Sequence, residues 1–298
     1  MIVVTNGTGE FGRLVVERLL TRLPATEVAV TTTEPQVAAD FAALGVEVRP
    51  EAGTGLDLLA GADRVLSNPS PGWVRSRTPP SNFERVQSWI AAAAAAKVRR
   101  LVHIGIINND RTHLLWHNAL EHKVRHSNLP YTVLRNNVHT EAFVPAARLA
   151  ISSGEYVCSI GDRTVAPAAL ADLAEAAAVV LTSDSHENEI LELSGFGLTA
   201  LGIASVIATV ADRQIPLREV DGANLVAELV AAGASNDDAV DLADLYEAAA
   251  RGEFSPQGEH LDRLLGRHHM SNVEALRIAL NMSTPQGTIG NTRSMEQG

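Results

Sequence analysis

Three glycines, Gly7, Gly9 and Gly12, punctuate the run VVTNGTGEFG at positions 3–12, and their spacing is that of a loop able to wrap a pyrophosphate in main-chain amides. The match alone carries little weight, because glycine is common in turns. Its surroundings add the rest: Ile2 to Thr5 reads as a strand, and FGRLVVERLL as a helix with Phe11, Leu14, Val15, Leu19 and Leu20 on apolar spacing. In that order Gly9 lets the backbone close on a phosphate and Gly12 lets helix and strand pack together. The helix start, with Thr8, Glu10 and Phe11 around it, offers unpaired N–H groups to the anion. Asn6 tolerates a left-handed backbone better than most residues. The alternative is a tight glycine turn with no ligand, and the strand–turn–helix order favours the dinucleotide.

The adenosine end of such a ligand would meet the run TTTEP after a second strand. Thr32 and Thr33 are the candidates there, since their hydroxyls can bond either a ribose 2′-hydroxyl or a 2′-phosphate, and no Lys or Arg stands between Leu23 and Val48 to choose between them. Four histidines, His113, His117, His122 and His126, include two pairs at the four-residue spacing that can chelate zinc. The pairs point in different directions, and HNALEH has one residue too many for H-x-x-E-H, so no metal is expected. His103 reads as a packed strand residue, while His268 and His269 fall late and touch either cleft or water. No G-x-S-x-G elbow occurs, and no carboxylate pair suggests glycosidase chemistry.

Elements that would position these residues alternate between short β-branched or aliphatic runs and longer Ala- and Leu-rich stretches, the pattern of βα units around a parallel sheet. Strands are expected at Ile2–Thr5, Glu27–Thr31, Val46–Arg49, Arg64–Ser67, Arg100–Ile104 and Tyr131–Leu134, with helices near Phe11–Arg22, Pro35–Leu44, Asn82–Lys97 and Thr112–His126. Beyond about Ser152 the alternation weakens: EYVCSI and REV suggest strands, and Leu170–Leu181, Leu198–Ala211 and Asn224–Ala232 suggest helices. The acidic run NDDAVDLADLYEAAARGE carries Val240, Leu242, Leu245 and Tyr246 at helical spacing and reads as a helix with a solvated face. The expected fold class is α/β, a Rossmann-type doubly wound parallel sheet with a smaller C-terminal α/β lobe. Its boundaries would be 1–152 for the dinucleotide domain, with later segments free to return to it, 153–283 for the lobe beside the substrate cleft, and 284–298 for a flexible tail.

Composition narrows the function class. The 298 residues are 46% hydrophobic, enough for a real core, and a net charge of -11 gives no reason to expect nucleic acid or an anionic membrane. A lone Cys158 excludes an internal disulfide and suits a reducing cytoplasm, where it is expected to be simply buried. No apolar run approaches the ~20 residues that span a bilayer, and the opening MIVVT lacks the flanks of a signal peptide.

Several runs taken together, VVTNGTGEFGRLVVERLL, AAAAKVRRLVHIG, HNALEHKVRHSNLPYTVLRNNVHTE, GDRTVAPAALADLAEAAAVVL and LDRLLGRHHMS, resemble the NmrA-like atypical short-chain dehydrogenase/reductases, particularly their bacterial NADPH:quinone oxidoreductase type 2 branch. The resemblance spans nearly the whole chain, and LPYTVLRNN is its most specific part. It implies a Rossmann-type domain holding NAD(P), NADP(H) in preference to NAD(H), and a substrate cleft against the smaller lobe. It also implies that Ser67, Asn68 and Pro69 in SNPSPG approach the ribose and nicotinamide, with Trp73 beside the cleft.

Departures from the family are informative. Gly105, between Ile104 and Ile106, stands where ordinary short-chain dehydrogenases carry a catalytic Ser, and His117 and Glu121 stand in place of their Tyr and Lys. The Arg that often follows the second strand is absent. Relatives run Arg-Asn-Gly, one residue, Tyr, and then Glu-Asn; here Arg135, Asn136, Asn137, His139 and Glu141 keep the order, with Ala142 last. The family pattern takes Asn136 and Asn137 past the nicotinamide and sets His139 at the substrate cleft.

A ketone reduced by hydride becomes a basic alkoxide and needs a positioned acid. A quinone becomes a phenolate-like anion, whose stability the tyrosine pKa of ~10 illustrates. The leading expectation is therefore an NAD(P)H-dependent reductase of a quinone or similar conjugated aromatic small molecule, with His117 as the candidate catalytic group and His139, Asn137 and Trp73 on the substrate. Two alternatives stay open: a non-catalytic NAD(P)-binding redox sensor, and a tailoring enzyme of aromatic polyketide assembly. A homodimer is left open as well.

Overall fold

In the computed structural model, residues 1–51, 55–69, 80–108 and 115–282 are described. Trp73, His113 and the tail 284–298 lie outside the described residues. The first half alternates as the hydrophobic pattern requires. It runs β1 (Ile2–Val4), α1 (Glu10–Leu20), β2 (Val28–Thr32), α2 (Ala39–Ala43), β3 (Glu47–Pro50), α3 (Gly55–Leu58), β4 (Arg64–Ser67), α4 (Pro80–Ala96), β5 (Arg100–Ile106), α5 (Leu115–Arg125) and β6 (Tyr131–Asn136). Then come α6 (Val144–Ser153), β7 (Tyr156–Cys158), α7 (Leu170–Thr182), β8 (Glu189–Leu193), α8 (Ala200–Ala211), β9 (Leu217–Glu219), α9 (Leu225–Ala231), α10 (Asn236–Ala250), α11 (His260–Leu265) and α12 (Asn272–Met282).

Seven strands form one sheet in the order β3-β2-β1-β4-β5-β6-β8, every pair parallel. Strands buried on both faces are near-continuous apolar runs, as Ile2, Val3 and Val4 show. Helix α1 buries Gly12, Val15, Val16 and Leu19, one face at 3.6-residue spacing, against one side of the sheet beside α7. Helices α4 and α5 cover the other side with Trp89, Ile90, Ala93, Leu120 and Val124. The alanine run of α4 thus serves close packing. Strand order reverses between β1 and β4, the switch point at which such sheets open a crevice beyond their strand ends.

The segment 153–283 divides between two cores. Helices α7 and α11 pack in the core of α1, and β8 pairs with β6. Buried Arg64 and Arg100 help to hold them there: Arg64 Nη1 donates to Leu181 O at 2.7 Å and Arg100 Nη2 to Asp184 O at 3.0 Å. The remaining elements build the smaller lobe around the β7–β9 pair, with Tyr156, Cys158, Tyr246 and Phe254 in its core. Cys158 is fully buried, which pushes its thiol up to about 11.

Local expectations are corrected at several places. β8, α3, α6, α11 and α12 lie outside the expected elements; β5 and β6 continue past Ile104 and Leu134 to Ile106 and Asn136; and the expected helix 35–44 is a 3-10 turn, Pro35–Ala38, followed by the short α2. Strand β6 persists through polar Arg135 and Asn136 because neighbours pair with it on both sides. Helix α10 turns Leu242, Leu245 and Tyr246 inward, and Val240 is only half-buried.

Candidate functional site

The glycine turn is built so that side chains cannot enter it. A Cβ on Gly12 would lie 2.3 Å from Asn6 O and 2.8 Å from Gly7 Cα, and one on Gly7 would lie 2.6 Å from Val30 Cβ. Asn6 takes a left-handed backbone with φ 51°. Gly7 N donates to Thr31 O at 2.9 Å and Asn6 N to Thr31 Oγ1 at 3.2 Å, which locks the turn onto β2. On the other side Thr5 Oγ1 donates to Leu66 O and accepts from Asn68 N, joining the ends of β1 and β4.

These residues fit a dinucleotide on two further observations. Gly9 is the N-cap of α1 and supplies no side-chain cap, so the first-turn amides are left for an external anion. Across the switch point, Asn136 Oδ1 is buried with no hydrogen-bond partner among the described residues, an acceptor suited to a carboxamide N–H. At the adenosine end, Thr8 Oγ1 and Thr32 Oγ1 lie 2.7 Å apart and Glu34 N donates to Thr32 Oγ1 at 3.0 Å, while Thr33 is exposed. A cation reaches this end from α1: Arg13 lies over the Phe41 ring, bonds Val37 O at 3.1 Å and pairs with Asp40.

Beside the turn a cleft of about 820 Å3, open mouth included, runs past the carboxyl ends of the strands. It brings together Asn6, Gly9, Glu10, Phe11, Asn68, Pro69, Gly105, His117, Asn136, Asn137 and His139, all named from sequence. Thr8, Thr32 and Thr33 sit at the β2 end outside this wall, and Ser67 lies beneath it, its Oγ 3.1 Å from His103 Nδ1. His122 and His126 stack on each other, and His268 and His269 bond Asp262; none of these four lines the cleft.

Gly105 keeps the floor of the cleft low, with Glu121 Oε2 behind it. Helix α5 turns His117, Leu120, Glu121 and Val124 inward, one stripe at helical spacing. His117 reaches the cleft and stacks on Trp116, ring centroids 3.6 Å apart. Glu121 is instead tied to Arg135 by two bonds of 2.7 and 2.9 Å, and Glu192 takes a third at 2.8 Å. Those carboxylates hold the guanidinium charged despite its burial. Asn137 is at the wall, but its amide is engaged with Ser194 Oγ, Phe254 O and Val138 N.

His139 is neutral at ordinary pH, because burial pushes its pKa down to about 4. Its Nδ1 lies 3.8 Å from Glu141 Oε2. Burial raises the Glu141 carboxyl to about 7, against the lowering effect of main-chain bonds including that from Leu170 N, while Glu10 and Asp172 push it further up.

Sequence reasoning missed Val138, Leu170, Leu173 and Phe254, which with Ile104 and Ile106 make the cleft walls apolar. Leu170 and Leu173 open α7, and helical spacing alone does not tell that its first turn faces a cleft. Phe254 follows α10 in the other lobe and is held by Ala166 N and Asn137 Nδ2 on its carbonyl. No local signal marks it.

A family model described as NAD(P)H-binding matches residues 7–184. Quinone oxidoreductase 2 of Escherichia coli is 28% identical over 292 residues, 95% of this chain and 100% of that protein. The NmrA-like family domain-containing oxidoreductase flvB of Aspergillus flavus is 25% identical, over 93% of this chain and 94% of its own. Among solved structures, Citrobacter sp. triphenylmethane reductase complexed with NADP(H) superposes with a TM-score of 0.83 at 29% identity, covering 94% of this chain and 100% of that one. The NADPH complex of the Escherichia coli NADPH-dependent quinone oxidoreductase gives 0.83 at 27% identity, covering 93% and 98%. With the matched segment running from the glycine turn to the end of α7 and taking in over half of the chain, the protein belongs to the NAD(P)H-binding family.

Proposed function

We propose that the protein is an NADPH-dependent oxidoreductase that reduces a quinone or a comparably conjugated aromatic molecule in the cytoplasm. The observation that carries this reading is an apolar cleft opening directly beside Asn136, with Gly105 and Glu121 where a ketone reductase would need Ser and Lys. Ile104, Ile106, Val138, Leu173 and Phe254 offer flat apolar contact to an aromatic ring and displace water from it. The main-chain amides after Gly9 would hold the pyrophosphate, Thr32 and Thr33 the adenosine ribose, and Asn68 and Asn136 the nicotinamide side. When bound, the nicotinamide supplies the hydride.

The protein's own part is positioning and exclusion of water, since a phenolate-like product leaves without a strong acid. His117 and His139, the two histidines of the wall, are the groups placed to touch the acceptor. Preference for NADPH is supported by Arg13 at the β2 end and by the cofactors bound in the two related structures. The test is calorimetry with all four nicotinamide forms, followed by NADPH oxidation against a panel of quinones and triarylmethane dyes. Quinone-dependent turnover is expected. Tight NADPH binding with no turnover on any acceptor would reject the enzyme and favour a redox sensor, whose partner affinity would then differ between NADPH and NADP+.

A further inference from the structure

We propose that Glu141 is a positioning residue that stores a proton for the cleft and passes it through the His139 ring to the reduced acceptor. This rests on the oxidoreductase reading above and names the proton source that reading leaves open. His139 lines the cleft, and its Nδ1, buried without a hydrogen-bond partner among the described residues, faces Glu141 Oε2 at 3.8 Å, which leaves Nε2 for the cleft side. That gap is about 1 Å beyond hydrogen-bond reach, so the transfer requires ring and carboxyl to close on each other when the acceptor fills the cleft. Both Glu141 oxygens accept from Leu170 N at 3.1 Å, at the start of α7, so the carboxyl is held in place behind the ring.

The surroundings favour a protonated Glu141. Glu10 from α1 and Asp172 from α7 are the charged groups that act on it, and Asp172 is itself paired with Arg267 at 2.8 Å. Helix α12 contributes the uncharged Asn272, bonded to Thr140. Among the described residues no Lys or Arg pairs with Glu141. Its pKa of about 7 lies where a proton is both held and released at working pH, and His139, pushed down to about 4, stays neutral throughout.

Hydride addition turns a quinone into the hydroquinone monoanion. The anionic oxygen takes the proton from His139 Nε2, and His139 Nδ1 takes the proton from Glu141. The products are the neutral hydroquinone, neutral His139 in its other tautomer, and the Glu141 carboxylate; once the product has left, a solvent proton taken up at Nε2 sends the Nδ1 proton back to Glu141 and restores the starting state below about pH 7. A neutral ring thus carries one proton without forming an imidazolium in an apolar site.

The experiment compares the wild type with Glu141→Gln, which keeps an acceptor for Leu170 N and cannot release a proton. Three readouts are taken from pH 5 to 9: kcat with a quinone at saturating NADPH, NADPH affinity by calorimetry, and 15N NMR of labelled histidine in the cofactor-free protein. In the wild type, kcat should fall as pH rises through about 7, and His139 should switch from Nε2–H to Nδ1–H over the same range. In the variant the pH limb disappears, kcat at pH 6 drops about tenfold, below the usual 10²–10⁴ because the product anion is weakly basic, and NADPH affinity is unchanged. His139 then stays Nε2–H, since the carboxamide donates to Nδ1. A variant with unchanged kcat and an intact pH limb overturns the relay. So does a wild-type His139 that keeps one tautomer across the range, a result that needs no variant to fold. If the wild type binds NADPH but turns over no acceptor, the oxidoreductase reading fails instead, and the tautomer measurement still decides the relay.

Discussion

Gly12→Ala tests the premise on which the cofactor assignment stands. The new methyl carbon would sit 2.3 Å from Asn6 O and 2.8 Å from Gly7 Cα, both main-chain atoms. Carbon contacts settle at about 3.5–4 Å, so the turn must move by roughly 1 Å. Overpacking of this kind costs about 1–3 kcal/mol of stability. The same displacement pulls first-turn amides away from a phosphate, and losing one or two charge-assisted bonds at about 1.5–3 kcal/mol each weakens NADPH about 100-fold. Calorimetric titration of NADPH together with urea unfolding separates the two effects. Gly222→Ala, away from the cleft, is the control: its methyl would find nothing nearer than Ser159 Oγ at 3.9 Å, so NADPH affinity should hold within about threefold. A Gly12→Ala protein that folds and binds NADPH as tightly as the wild type would refute the main-chain cradle.

Arg13→Ala should raise the Kd of NADPH about tenfold and leave that of NADH unchanged, as removal of one exposed charge-assisted contact implies; equal losses for both forms would remove Arg13 from the 2′-phosphate. His103 is fully buried, and desolvation pushes its pKa down to about 4 from an ordinary 6.5. The neutral ring is the stable one in the fold, so its contribution is intact above pH 6.5 and is lost as pH falls from there towards 4. Between pH 7 and 5 this amounts to about 2 kcal/mol. His103→Asn, which keeps a polar group facing Ser67, should shrink the difference in urea unfolding between those two pH values by that amount, and an unchanged difference would show that His103 charges freely. His139, pushed down to about 4 by burial as well, adds acid sensitivity of the same sign.

Edge strand β8 shows why part of the fold escaped a reading along the chain. ENEILEL mixes acids among its aliphatics, unlike the apolar runs of the central strands, because β8 is an edge strand, paired among the described residues with β6 alone, and leaves Glu189 exposed and Glu192 half-buried. Glu192 then serves the half-buried Arg135, a partner 57 residues away. The polar end of β6 escapes the pattern for a related reason: Arg135 is tolerated inside a sheet because Glu121 and Glu192 neutralise it. Pro35 and the alanines around it suggested one helix, and the chain there makes a 3-10 turn before α2.

What the amino-acid order determined alone was the short-range half of the site. Strand, glycine turn and helix lie within the first 20 residues, and Gly7 and Gly12 are demanded by neighbours no further off than Val30. The character of the cleft was decided only when distant elements met. Phe254 and Leu173 set its polarity from other parts of the chain, and Leu170 N anchors Glu141 behind His139. Periodicity records which face of an element is apolar. How far a carboxyl or an imidazole is desolvated depends on what packs over it, and that is a property of the assembled chain.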